Sequence, residues 1–333
     1  LAVIAAAGLG KTRVLVGGDG DRGALHDTAG RVTLMVFPTL DMIGQAAGRY
    51  RAGRGPGDPP GFVLRGRAAK REDDQGLMCT YADWAEGVVK ARGRVTELMC
   101  GSGCPEADGC PYLEQQHFLK ALAKSGDGVV IFAAHPFAWA PVASGDVEPD
   151  LVIIDEQPAD LGVDQFILGP ATMHAVSLRK NMEGWDAAHQ IIEAIRNDGP
   201  LDPAWYAPAR DVTEAWITRD LKKRLKAAKW TDRDNKFEGW GPKDPTTYVA
   251  LLAIVEALAA MGSTSVPPNV VITEDGIHLS VVRDLYHQDA AFGYLDATAD
   301  PALATNMFGP MEFVHSRVDR NAHVTQVLGV NPT

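Results

Sequence analysis

A chain of 333 residues, 46% hydrophobic and 23% charged, is long enough for more than one sizeable core, as one large domain with inserts or as two to three units. Its formal net charge of −11 excludes a wholesale basic nucleic-acid binder and leaves room for a local basic groove. No apolar run reaches the ~18 residues that a membrane-spanning helix needs, so no membrane partner is expected.

The chain starts at Leu1 rather than Met, and sequence upstream is expected. LAVI (1–4) is a short apolar run with the form of a buried parallel strand. It lacks the basic leader of a signal peptide. AAAGLGKT (5–12) follows. In a phosphate-gripping loop, Gly8 and Gly10 let the backbone curl so that its N–H groups face a phosphate. Lys11 then reaches the β- and γ-phosphates of ATP, and Thr12 holds Mg²⁺. Ala5 stands where the general pattern has glycine, and a structural turn is the alternative reading.

GGDGDRG (17–23) reads as a loop without metal-site spacing. RVTLMVFPTLDMIGQ (31–45) reads as a strand, a turn at Pro38 and Thr39, then a helix. Residues 49–71 carry seven Arg or Lys against one Asp, around the flexible GRGPGDPPG.

Cys79, Cys100, Cys104 and Cys110 fall within 32 residues, and the rest of the chain has no cysteine. Such clustering points to metal or cluster ligation in a reducing compartment, hence a cytoplasmic protein. Four thiolates hold a [4Fe–4S] cluster or a Zn²⁺ ion, and free thiols are the third reading. CGSGCPEADGCPY (100–112) is glycine-rich, so it can wrap a bulky cluster and donate N–H groups to sulfur, and it lacks paired C-x-x-C knuckles.

GVVIFAAH (128–135) returns to an apolar strand and ends on His135, a packed core histidine on the plain reading. DLVIIDE (150–156) is a buried strand that ejects Asp155 and Glu156 at its carboxyl end, where open α/β sheets bind ligands. There Asp155 would hold Mg²⁺ through water, and Glu156 would orient and deprotonate an attacking water. A strand closed by an acidic turn is the alternative.

Residues 171–265 have helical apolar spacing in AAHQIIEAIRN, TEAWITRDLKKRLKAAKW and TYVALLAIVEALAAMG. Within eleven residues of the second of these fall Arg219, Lys222, Lys223, Arg224, Lys226 and Lys229, with one acid among them, Asp220. Lys222, Lys223 and Lys226 are candidates for neutralising the phosphates of a single strand, DNA or RNA, against a solvated charged face. Trp216 and Trp230 flank the stretch, to stack bases or to pack in a core. NVVITEDGIHLSVV (269–282) reads as a hairpin, and FGYLDATAD (292–300) as a core strand followed by Thr298.

The order AxxGxGKT, PTxxMxxQ, a cysteine insert ending in Cys110-Pro111-Tyr112, IIDE, then DATAD resembles the first motor domain of superfamily-two helicases. More narrowly, it resembles the iron–sulfur helicases of the XPD and DinG kind. The resemblance implies an α/β, RecA-like P-loop motor domain with a parallel sheet (1–72, 119–170 and 266–333). It further implies a four-cysteine insert at 73–118 and a helical, arch-like insert at 171–265. It places Pro38 and Thr39 against a nucleic-acid backbone and gives Thr298 a part in coupling hydrolysis to movement. It makes His135 a partial match to a polar pair before the acidic motif. The implied function is ATP hydrolysis driving movement on single-stranded nucleic acid, with Glu156 and Lys11 catalytic.

There are departures. The acidic motif reads Asp155-Glu156-Gln157-Pro158 rather than DEAH, and the cysteines are separated by 20, 3 and 5 residues, near the family pattern but not identical to it. The chain ends soon after DATAD, so a second motor domain is expected outside it. Two other readings stay open: a P-loop ATPase or switch with a structural zinc insert, and a non-catalytic nucleic-acid-binding fragment.

Overall fold

A computed structural model of the chain describes residues 2–5, 11–18, 20–72, 76–100, 104–156, 163–227, 246–282, 285–296, 302, 304–305, 310 and 312–316. Its larger sheet is built from β1 (Ala2–Ala5), β2 (Val32–Phe37), β3 (Gly61–Val63), β4 (Val129–Ala134), β5 (Leu151–Asp155), β9 (Ala291–Asp296) and β10 (Phe313–Ser316). The spatial order is β10-β1-β9-β5-β2-β4-β3, and every pairing is parallel.

Parallel strands need crossovers that cover both faces, and the strand sequences show it. Leu34 and Val36 of β2, Ile131 and Ala133 of β4, and Val152 and Ile154 of β5 pack on one face with Leu119 of helix α4 (Pro111–Lys124). The intervening Met35, Phe37, Val130, Phe132 and Ile153 pack on the other, against Val16 of α1 (Lys11–Val16) and Ile43, Ala46 and Tyr50 of α2 (Leu40–Gly53). Gly17 ends α1 at φ 85°, its N–H on the Arg13 carbonyl at 2.8 Å, and a Cβ there would meet the Asp21 carbonyl at 2.1 Å.

A second core lies elsewhere in the chain. It joins α3 (Ala82–Lys90) to α5 (Pro170–Ser177), α6 (Trp185–Arg196), α7 (Tyr206–Ala227) and α8 (Thr246–Met261). The apolar positions of α6 recur at 187, 188, 191, 192 and 195, one face of a helix. Helix α8 is buried from Tyr248 through Val255, as an apolar run without a polar face must be. The helices expected at 187–197, 213–230 and 247–262 are α6, α7 and α8, with α7 starting earlier, at Tyr206.

Two features depart from the expected boundaries. Strand β6 (Val163–Leu168) and the hairpin β7 (Val270–Thr273)–β8 (Gly276–Val282), placed by sequence with the large sheet, form their own antiparallel sheet in the order β6-β8-β7. The cause is their alternation: Leu168, Ile277 and Leu279 turn one apolar face to the helical core, which a strand buried on both sides would not show. The cysteine segment and the helical segment, taken as separate inserts, also share that core: Cys79, Ala85, Val88 and Met99 pack in one cluster with Ile191, Leu221 and Leu258.

Candidate nucleotide site and cysteine cluster

Because all strands of the large sheet run one way, their carboxyl ends share one edge. Lys11 and Thr12 follow β1, Pro38 and Thr39 follow β2, His135 follows β4, and Asp155 closes β5. The sheet order puts β9 between β1 and β5, so the start of α1 and the acidic end of β5 meet across one strand. The Thr12 hydroxyl donates to Asp155 Oδ2 at 2.7 Å, across 143 positions of sequence. Asp155 is 2% exposed. Gly8 and Gly10 lie outside the described residues, as does Thr298.

The peptide between Asp155 and Glu156 is held from both sides. The Asp155 carbonyl accepts from His135 Nε2 at 2.8 Å, and the Glu156 N–H donates to the Leu295 carbonyl of β9 at 2.8 Å. A carbonyl only accepts, so His135 carries its proton on Nε2. Burial holds the His135 pKa below the ordinary imidazole value, which keeps the ring neutral. Glu156 itself sits at φ 67°, a left-handed conformation that costs a non-glycine residue about 1–2 kcal/mol and persists where its surroundings fix it. The carboxylate is thereby turned out of the strand direction and is exposed. His135 is 4% exposed: it is a core residue, as the plain reading has it, and it also sets the acidic turn.

Thr39 caps α2, its hydroxyl accepting from the Met42 N–H at 3.3 Å, and Pro38 is exposed beside it. Lys222 and Lys223 are exposed on α7, and the Lys226 side chain lies outside the described set. Trp216 does not stand free: it packs on Trp185 and Tyr248 at centroid distances of 5.9 Å each. Trp230 lies outside the described residues.

The four cysteines form no disulfide. Cys79 and Cys110 are buried, Cys100 and Cys104 half-buried. Arg67 enters this group, one N–H reaching Cys100 Sγ at 3.6 Å and its guanidinium lying 3.9 Å from the Tyr112 ring centre. Among the described residues no carboxylate pairs with it, and the nearby thiols and the Tyr112 phenol hold its own pKa up. Burial pushes the Cys79 and Cys104 thiols up. The donor chemistry, four free thiols with a guanidinium beside Cys79 and Cys100, fits an anionic Cys₄ group. The geometry is not that of a single bound ion: among the described residues no three His, Cys, Asp or Glu side chains come together as ligands of one metal.

Arg67 and the Leu295 carbonyl were not legible as parts of these sites, because each acts through a partner distant in sequence. Among the described residues no helix is long and apolar enough to cross a membrane.

No protein-family model matches the chain. No curated protein matches it. Eleven solved chains do. One is an XPD helicase, 12% identical with a TM-score of 0.45, covering 95% of this chain and 58% of its own. Another is a truncated XPD, 11% identical with a TM-score of 0.41, covering 95% of each chain. This chain thus spans little more than half the length of the first and nearly all of the second.

Proposed function

We propose that the chain is the RecA-like, ATP-binding motor domain of a nucleic-acid-dependent ATPase of the iron–sulfur helicase kind. The observation that carries this is the 2.7 Å bond from Thr12 to Asp155. A hydroxyl from the first turn of the helix after one parallel strand and a buried carboxylate from the end of another meet at the carboxyl edge of the sheet, the place where α/β folds bind phosphates. That pair of oxygens is the one that would hold Mg²⁺ beside a nucleotide. Bound Mg²⁺ supplies neutralisation of charge between the β- and γ-phosphates.

The chain's own residues do the rest. Lys11 places an ammonium on the β- and γ-phosphates. Glu156, exposed at the mouth and fixed by its N–H on β9, orients the attacking water and takes its proton. His135 holds the carbonyl between the two acids and stays neutral. Pro38 and Thr39, at the same edge, face the nucleic-acid strand. Cys79, Cys100, Cys104 and Cys110 would hold a [4Fe–4S] cluster, whose part is structural, with Arg67 balancing its negative charge.

The test is Mg-ATP hydrolysis with and without single-stranded DNA. Lys11→Ala abolishes nucleotide binding. Glu156→Gln leaves binding intact and lowers turnover by about 10²–10⁴-fold, the usual contribution of a general base. Turnover unchanged in Glu156→Gln, or binding unchanged in Lys11→Ala, overturns the proposal.

A further inference from the structure

The basic stretch of α7 is not one surface. Lys222 turns into a shallow groove beside Asp211 and Glu214. Lys223 lines a neighbouring groove of 790 Å³ with Arg179, Trp216, Tyr248 and Leu178, and Arg219 stands between the two and lines both. The two lysines are adjacent in sequence and face different electrostatic surroundings.

In the second groove the cations are poorly neutralised. Its one carboxylate, Asp220, is committed to Arg224 at 2.6 Å. Among the described residues neither Arg219 nor Lys223 has a carboxylate partner. Arg179 spends Nη1 on the Ala175 carbonyl at 2.6 Å and the Tyr248 hydroxyl at 2.9 Å, while its Nε and Nη2 make no hydrogen bond among the described residues. Its guanidinium is seated on aromatic rings, 4.5 Å from the Trp216 centre and 5.4 Å from that of Trp185. Arg219 lies 4.7 Å from the same Trp216 ring. Leu178, 74% exposed, adds an apolar rim. On a chain of net charge −11, three cations without a direct carboxylate partner among the described residues, set over an aromatic floor, form a local positive site.

We infer that this groove between α5, α7 and α8 binds the sugar-phosphate backbone of single-stranded nucleic acid, with Arg179, Arg219 and Lys223 on its phosphates. Arg219 and Lys223 are one i,i+4 step apart, about 6 Å along the helix axis, which suits successive charges on an extended strand. The guanidinium planes of Arg179 and Arg219, held on the Trp216 ring, and the exposed Leu178 suit unstacked bases, a feature that an acidic peptide does not need. The inference rests on the nucleic-acid part of the function proposed above and names the surface that serves it.

The experiment measures binding of a dye-labelled oligothymidylate to the full chain over a salt series, with folding checked by circular dichroism. Arg219→Glu with Lys223→Glu is expected to weaken binding at least ~10-fold and to reduce the salt slope by about 0.7 for each phosphate no longer neutralised. Lys222→Glu, the same charge change one residue away, weakens it at least fivefold less. The groove is overturned if Lys222→Glu matches Lys223→Glu, or if the double variant binds as the parent does while single-strand binding persists. It is also overturned if polyglutamate displaces the oligonucleotide as well as unlabelled oligothymidylate does. A chain that binds ATP through Lys11 but no single strand overturns the groove together with the nucleic-acid part of the proposed function, and leaves the nucleotide site standing.

Discussion

The two cores differ in how they hold their partly buried cations and rings. Around the large sheet they bond to main chain. His26 accepts from the Gly23 N–H at 2.9 Å and donates to the Tyr50 carbonyl at 2.9 Å, Tyr50 donates to the Pro59 carbonyl at 2.8 Å, and His135 donates to the Asp155 carbonyl. The helical layer uses main-chain partners too, Thr213 donating to the Ala209 carbonyl at 2.6 Å, and adds soft, polarisable ones: Arg179 on three aromatic rings, Arg67 on Tyr112 and a sulfur. Main-chain partners fix an atom in one place, which suits a site that must position charge to within tenths of an ångström. Aromatic faces and thiols hold a cation while leaving donors over, which suits a surface that meets a ligand from outside.

The largest test of this division is Trp185→Ala. Trp185 is 2% exposed and supports Arg179, so its loss should cost about 3–5 kcal/mol. Denaturant unfolding followed by the remaining tryptophans should show the helical layer weakened, while nucleotide affinity changes less than about twofold. If nucleotide binding collapses with it, the two cores are one cooperative unit and the comparison fails.

Tyr50→Phe acts on the other side. It removes a hydroxyl whose pKa burial has pushed up to about 12 and leaves the Pro59 carbonyl buried without its donor. Stability should fall by about 1–3 kcal/mol, with single-strand binding at the helical groove unchanged. A loss confined to that groove would mean that the sheet transmits strain to the layer.

The smallest expected effect is with pH. His135 and His287 are both buried, at 4% exposure, and burial lowers the pKa of each. Their neutral forms are favoured in the folded state, so the stability they lend is present above the unfolded imidazole value of about 6.5 and is lost as pH falls through their lower native values. Both belong to the sheet region, and among the described residues the helical core buries no histidine. Urea midpoints should therefore decline on acidification, and His135→Gln should flatten that decline. An acid transition seen first at Trp185 would reverse the assignment.

The sheet edge was legible because its signals are local. An apolar run that ends in Lys11-Thr12, and another that ends in Asp155-Glu156, state strand, direction and site together. Helices α6 to α8 were legible from spacing alone. The second sheet was not, since the alternation around residues 166–168 and 277–279 says that one face is buried but not which strands pair. Nor was the left-handed turn at Glu156, whose cause is the Leu295 carbonyl on a strand formed far downstream. Thr39 shows a third case: one hydroxyl serves both as helix cap and as candidate strand contact, and its position in sequence cannot separate the two.

The shared core of the cysteine segment and the helices has a consequence for synthesis. Cys79 and Cys110 leave the ribosome before Trp185, Leu221 and Leu258, which complete the core that encloses the segment. At roughly 5–20 residues per second, the thiols wait about 7–30 seconds in a nascent chain with part of their shelter still unmade. Whatever loads or guards them acts in that interval or gains access through a loosened helical layer, so the rate of translation across residues 111–258 becomes a determinant of how much of this protein matures.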